Sequence, residues 1–284
     1  MITLFAYAKI NLTLEVLGKR GDGYHEVMTV LQTIDLKDAL TFELQRGIDI
    51  ECDQPELRSP DNLAVKAARL LRDTVGCTRG ALISIRKDIP LAAGLGGGAS
   101  DAAATLQALN ELWQLGLPRE QLLQLAAKVG SDVPFFLYGG TALGQGRGEI
   151  VAPLPPFPPS WMVLLKLPIN VADNKTQRLY ASLNPSHFTA GQFSKRMVDL
   201  LRLGSNISSS FLFNVFEKVA FTAFPGLEGY WQHLLNLGAN NVHLAGSGPT
   251  LFTLAQDEAK GEELYRSLKK EGLEVYLVQT VAGS

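Results

Sequence analysis

The residues best suited to chemistry in this chain lie between Pro90 and Ala104, in the run PLAAGLGGGASDAAA. Gly94, Gly96, Gly97 and Gly98 place four glycines in five positions. Without side chains, backbone can approach a ligand closely. Just before the run, Ala81 to Lys87 alternates Ile83 and Ile85 against Ser84 and Arg86, the pattern of a half-buried strand. Just after it, Ala102, Leu106, Leu109 and Trp113 recur at helical spacing, with Ser100 and Asp101 where a helix cap belongs. Strand, glycine loop and helix N-terminus together aim free N–H groups and partial positive charge at an anion, and phosphate is the usual one. A plain connector would need only one or two glycines, because each costs backbone entropy on folding.

The loop does not by itself choose the chemistry. Gly94-Leu-Gly96-Gly-Gly-Ala99 satisfies G-x-G-x-x-A, the dinucleotide fingerprint. That fingerprint needs an acidic residue ending the next strand, about 20 residues on. Here Leu117-Pro118-Arg119-Glu120 opens another helix instead. The P-loop is excluded because no Lys-Ser or Lys-Thr follows the last glycine. A third kind of phosphate loop is required.

Other chemical groups are scattered. Lys9 and Asn11 share one face of the alternating run Ala6–Leu17, opposite Ala6, Ala8, Ile10, Leu12, Leu14 and Val16. The pattern alone reads that face as solvated. Asp132 stands between a helix ending at Gly130 and the apolar run Phe135–Tyr138, which reads as a buried strand. Taken alone, such an aspartate is a cap. Tyr24 and His25 follow the Asp22-Gly23 hairpin turn. They could stack on and hydrogen-bond a planar ligand or fill core, and the pattern does not choose.

These groups need elements to place them. Ala6–Leu17, Asp35–Glu43 and Gly47–Glu51 read as strands of an N-terminal meander. Ser59–Asn62 caps a helix through Val65, Ala68, Arg69 and Arg72, and Pro118–Val129 is a short amphipathic helix. Five prolines between Pro153 and Pro159 mark the clearest composition shift. We place a domain boundary there, giving domains over 1–152 and 160–284. Beyond it, Trp161–Pro168 reads as a strand and Val198–Leu203, Phe211–Phe221 and Leu227–Leu237 as helices. Asn241–Ala245 and Thr250–Ala255 read as strands around Gly246-Ser-Gly-Pro249, followed by a helix over Glu258–Lys270 and a strand over Glu274–Val281. That order suggests a ferredoxin-like layer of sheet and helices.

The composition narrows the class. The chain has 284 residues, 46% hydrophobic and 19% charged, as in ordinary globular proteins. A formal net charge of −2 argues against binding nucleic acid through its phosphates. Cys52 and Cys77 have no CxxC spacing, and His25, His187, His233 and His243 show no metal-ligand spacing. We therefore expect neither a disulfide framework nor a protein-built metal site. No apolar run is long enough to span a membrane, and Lys9 and Asn11 interrupt the N-terminal one, so a cytoplasmic protein is expected.

Three motifs in order change the weighing. Ala8-Lys-Ile-Asn-Leu12, Pro90–Ser100 and Leu244-Ala-Gly-Ser-Gly-Pro-Thr250 resemble the signature of the GHMP kinases, small-molecule kinases named for galactose, homoserine, mevalonate and phosphomevalonate. Gly21-Asp-Gly-Tyr-His25 and Gly130-Ser-Asp-Val-Pro134 narrow the resemblance to the branch that phosphorylates a cytidine-diphosphate-linked methylerythritol for non-mevalonate isoprenoid synthesis. The resemblance implies an α+β, two-domain fold: an N-terminal ribosomal-S5-like domain and a C-terminal ferredoxin-like domain. It implies that ATP, with Mg2+, donates its γ-phosphoryl group to the 2-hydroxyl of the methylerythritol unit. It implies that Pro90, Leu91, Ala92, Ala93, Gly94, Leu95, Gly96, Gly97, Gly98, Ala99 and Ser100 wrap the triphosphate, Ser100 near magnesium or phosphate, while Asp61 and Asn62 line the adenine pocket.

In the same pattern Lys9 and Asp132 become the catalytic pair, which reverses the bland reading of both. A carboxylate can accept the proton of an alcohol, and an adjacent ammonium stabilises the charge that develops. Asn11, Tyr24, His25 and Tyr180 match positions that hold the cytidine end, and Gly246 and Ser247 bring a second backbone turn to the site. One departure stands out: Ala172-Asp-Asn-Lys-Thr176 replaces a Val-Ser-Thr run. The expected partner is a small-molecule substrate, not nucleic acid or membrane, with the chain a monomer or weak homodimer. The competing readings are a kinase of this fold for homoserine or mevalonate, a dinucleotide-dependent oxidoreductase, and a non-catalytic relative.

Overall fold

The computed structural model describes residues 1–169, 174–205 and 207–283. Two long strands organise it. β1 (Ile2–Lys19) and β2 (His25–Gln45) pair antiparallel, with Lys19 opposite His25 across the Asp22-Gly23 turn. β3 (Ile48–Cys52) departs from the expected meander. It pairs in parallel with β4 (Gly80–Arg86), which in turn pairs antiparallel with β2. Parallel neighbours need a crossover, and α1 (Leu63–Val75) supplies it. Asn62 starts that helix by accepting a hydrogen bond from the Ala64 N–H.

After β4 come the glycine loop, α2 (Gly97–Leu112), α3 (Arg119–Val129) and α4 (Val133–Tyr138). The expected strand at Phe135–Tyr138 is therefore a short helix. Pro134 suits a first helical turn, Gly139 stops the helix at φ 66°, and four apolar residues are too few for periodicity to separate helix from strand. β5 (Thr141–Gly146) pairs with β2, and β6 (Ile150–Pro153) pairs with β5. The proline run then carries the chain to a second sheet.

That sheet holds β7 (Trp161–Lys166) and, after α5 (Lys175–Ser182), α6 (Gln192–Arg202), β8 (Phe213–Asn214), α7 (Glu217–Ala223) and α8 (Leu227–Asn236), the strands β9 (His243–Leu244), β10 (Leu251–Leu254) and β11 (Glu274–Gln279). Its order is β11-β7-β10-β9, with α9 (Glu258–Lys270) between β10 and β11. β8 is not part of it. The expected helix over Phe211–Phe221 begins only at Glu217, because Phe213 and Asn214 join the first sheet in parallel with Thr13 and Leu14 of β1. The first sheet thus runs β3-β4-β2-β1-β8.

Burial follows this layout. α1, α2 and α3 cover β2 and β4 around Phe42, Ile83, Leu71 and Leu106. A second cluster fills the space between the other sheet and α7, α8 and α9. A third joins the halves: Ala8, Ile10 and Leu12 of β1 pack with Met162, Leu164 and Phe252. The opposite face of β1 is buried as well, which its polar residues did not suggest. Glu15 accepts hydrogen bonds from the Phe193 and Ser194 N–H groups at the start of α6, and Thr13 meets Ser194 at 2.8 Å. The same face ends at Asn11 and Lys9, where the helix cover gives way to a cleft.

Candidate active site

Among the described residues, the cleft of about 350 Å³ between the sheets is lined by the glycine loop, β1 and the turn Gly246–Ser247. The loop is docked on β1, since the Lys9 N–H donates to the Leu95 carbonyl at 3.0 Å. α2 begins at Gly97, immediately after Gly96 turns the chain at φ 76°. Its unpaired N–H groups therefore face the loop. Ser100 and Asp101 are the fourth and fifth residues of α2, both buried, rather than its cap. The loop also touches the second half of the chain directly. A Cβ on Gly246 would sit 2.7 Å from the Gly94 carbonyl oxygen and 2.9 Å from Lys9 Nζ, and this glycine has φ 54°. Only a bare backbone fits there. Asn214 of β8 holds the turn by donating to the Leu244 and Gly246 carbonyls, both at 2.8 Å.

Lys9 is 3% exposed. Its ammonium donates to Asn11 Oδ1 at 2.7 Å and lies 3.8 Å from Asp132 Oδ2. Asn11 in turn donates to Thr29 Oγ1 at 2.8 Å, which fixes its amide. Burial lowers the Lys9 pKa below the ordinary lysine value, and the nearby Asp132 charge opposes that shift. Asp132 sits just before α4 but makes no capping hydrogen bond, so its half-exposed carboxylate is free to face the cleft. An acid and an amine meeting at the edge of a phosphate-sized cradle can take a proton from an alcohol and steady a phosphoryl group.

The other expected residues divide. Pro90 through Ala99 line the cleft, as do Gly246 and Ser247; Ser100 does not. Asn62 caps α1 and Asp61 pairs with Lys66 at 3.0 Å, with neither lining the cleft, though the adjacent Leu63 does. Tyr24, His25 and Tyr180 line an adjoining cavity of about 760 Å³, which shares Asp132, Arg147, Thr176 and Tyr180 with the first. Two of these rings meet directly: His25 and Tyr180 stack on each other, centroids 5.0 Å apart and 20° from parallel. That is ordinary direct stacking, so a base between them must part the rings. Burial, aided by the Lys19 charge, lowers the His25 pKa and favours the neutral ring.

Three cations in the cleft were not anticipated. Lys87 lies between the buried carboxylates Asp38 and Asp101, at 2.7 Å from the latter. Asp38 also accepts the N–H groups of Asp88 and Ile89, each at 2.8 Å. With two carboxylates to one ammonium, burial pushes Asp101 up to about 7 despite Lys87. Arg147 rests on the Tyr24 ring, 4.9 Å from its centre, with its Nε 3.3 Å from Glu149. Lys175, at the start of α5, donates to the Ala92 carbonyl at 2.5 Å and to that of Gly248. Of the departing run Ala172–Thr176, Ala172 and Asp173 lie outside the described residues. A lone lysine or arginine carries no periodic signal, which is why pattern could not single these out.

Comparison with known proteins gives the chain's family and fold. The family described as GHMP kinases N terminal domain matches residues 62–140, and GHMP kinases C terminal matches residues 195–274. A 4-diphosphocytidyl-2-C-methyl-D-erythritol kinase of Dehalococcoides mccartyi is 45% identical over 281 residues, covering 99% of both chains. The crystal structure of a 4-(cytidine 5'-diphospho)-2C-methyl-D-erythritol kinase superimposes with TM-score 0.83 at 32% identity, covering 99% of this chain and 100% of that one. A homoserine kinase from Cytophaga hutchinsonii, at 19% identity and TM-score 0.75 over 99% of this chain and 95% of its own, shares the fold. Among the described residues no helix is long and apolar enough to cross a membrane.

Proposed function

The chain belongs to the GHMP kinase family, and from that premise we propose that it phosphorylates the 2-hydroxyl of 4-diphosphocytidyl-2-C-methyl-D-erythritol with ATP, a step toward isoprenoid precursors by the non-mevalonate route. The observation that carries the mechanism is the Lys9–Asp132 pair, 3.8 Å apart at the edge of the glycine cradle. The two joined cavities suit two ligands meeting there. The nucleotide donor takes the glycine loop, and the cytidine end of the alcohol takes the cavity of Tyr24, His25 and Tyr180.

In the transfer, the substrate hydroxyl oxygen forms a bond to the γ-phosphorus. The bond from that phosphorus to the β–γ bridging oxygen breaks, and ADP leaves. Asp132 accepts the hydroxyl proton, a contribution of about 10²- to 10⁴-fold. Lys9, steadied by Asn11, and the N–H groups at the start of α2 stabilise the charge on the transferred group. The described residues contain no group of three or more His, Cys, Asp or Glu side chains able to hold a metal. A magnesium ion held mainly by the nucleotide's phosphate oxygens and water needs no such protein cluster and leaves Asp132 free as the base. Bound there, it would offset phosphate charge. We place the reaction in the cytoplasm, where ATP is available.

The test is a coupled assay of ADP release with the cytidine substrate, homoserine and mevalonate, with phosphorus NMR of the product. Turnover of the cytidine substrate alone, giving a phosphomonoester on the tertiary alcohol, is expected. ADP release with homoserine or mevalonate and none with the cytidine substrate would overturn the assignment.

A further inference from the structure

Of the four cations lining the nucleotide cleft, Lys9 faces Asp132, Lys87 sits between two carboxylates and Arg147 lies on Glu149. Lys175 has no ion pair among the described residues. Its two partners are neutral carbonyls, Ala92 of the glycine loop and Gly248 of the opposing turn. An ammonium has three donors, so one remains. Among the described residues no carboxylate offsets its charge, in a place that already holds Lys9 beside the same turn. Lys9 has Asp132 beside it, whereas Lys175 feels the Lys9 charge with no described carboxylate of its own, so an anionic ligand at Lys175 would offset that repulsion.

The rest of α5 supports this placement. Thr176 meets Ser247 at 2.9 Å, and Tyr180 stacks on His25, so the helix is pinned at both ends across the site. Resting on the kinase reading above, we propose that Lys175 is a further phosphate-contacting residue, delivering a second ammonium to the terminal phosphates of the donor nucleotide from the wall opposite α2. The glycine loop supplies N–H dipoles, Lys9 supplies charge beside the acceptor alcohol, and Lys175 supplies charge where loop and turn meet. Its pKa is lowered to about 8, first by burial and then by Lys9. A phosphate beside it would raise that value, since an anion favours the charged form.

The test compares wild type with Lys175→Met, Lys175→Gln and Lys175→Arg, all checked for unchanged thermal midpoint. Binding of the β,γ-imido analogue of ATP and of AMP is measured by calorimetry, and turnover with the cytidine substrate is measured separately. Met and Gln should weaken the analogue by about tenfold to a hundredfold, the worth of a charged hydrogen bond, and leave AMP within about twofold. Arg should stay within a few fold of wild type. Should Met fail to fold, Gln against Arg decides, because Gln keeps a donor for the carbonyls without the charge. Wild-type affinity in Gln, or equal losses for AMP and the analogue, would make Lys175 a structural tether and overturn the proposal. A wild type that binds the analogue yet leaves the cytidine alcohol unphosphorylated would sink the kinase assignment while the binding comparison still judges Lys175.

Discussion

Lys9 and Asp132 divide the chemical work by environment. Lys9 is buried and held by one amide, so its ammonium cannot swing away; Asp132 is half exposed and unbound by any cap, so it can meet an incoming hydroxyl. Asp132→Asn should therefore lower kcat by about 10²- to 10⁴-fold while nucleotide affinity changes little. Stopped-flow or steady-state kinetics beside calorimetry with an ATP analogue checks this, and wild-type kcat in the variant would remove Asp132 from the role. Lys9→Met should fall comparably, and the double variant should be little worse than either single one, because the two act on the same transfer. His25 belongs to the same scale. Its neutral ring can both donate and accept along a pyrimidine edge. His25→Ala should raise KM for the cytidine substrate about tenfold or more and leave KM for ATP unchanged.

At the level of elements, the site is a junction between the glycine loop and the turn after β9. Gly246 lies against both the Gly94 carbonyl and the Lys9 ammonium, in a backbone region that side chains disfavour. Gly246→Ala should cost about 1–3 kcal/mol of stability and push the loop off β1, cutting kcat as well. Thermal unfolding and kinetics on the same preparation measure both, and an unchanged kcat would separate the turn from the reaction. The turn depends in its own right on Asn214, which the chain brings from β8 into the sheet of Lys9. A two-residue strand thereby ties the register of β1 to the position of the second backbone turn.

Across the whole molecule, the buried group Asp38–Lys87–Asp101 connects β2, the segment after β4 and the N-terminal part of α2 that follows the glycine loop. Asp101 titrates near 7 in the fold against 3.8 in an unfolded chain. The folded state then holds more protons than the unfolded one between these values. Its contribution is complete below about pH 4 and is lost as pH rises through about 7. Urea unfolding across that window should show stability declining with pH, and Asp101→Asn should flatten the decline. A variant with the same slope as wild type would place the titration elsewhere.

The strand-loop-helix around the glycines, the β1–β2 hairpin, the helices at Leu63, Arg119 and Glu258, and the second antiparallel sheet were legible because each rests on local signals: periodicity, caps and turn residues. The resemblance carried by five short motifs supplied the chemistry. What sequence could not express was contact between distant segments. Lys9 reads as solvated until α6 and the cleft bury its face of β1, and Asp132 reads as a cap until α4 leaves its carboxylate unbound. β8 is two residues long and has no pattern of its own; pairing with β1 creates it. Lys87, Arg147 and Lys175 reach the cleft from separate parts of the chain, and no spacing announces them. Local sequence determined where backbone could turn, coil or extend, while burial and long-range packing decided which polar side chains lost water and faced one another.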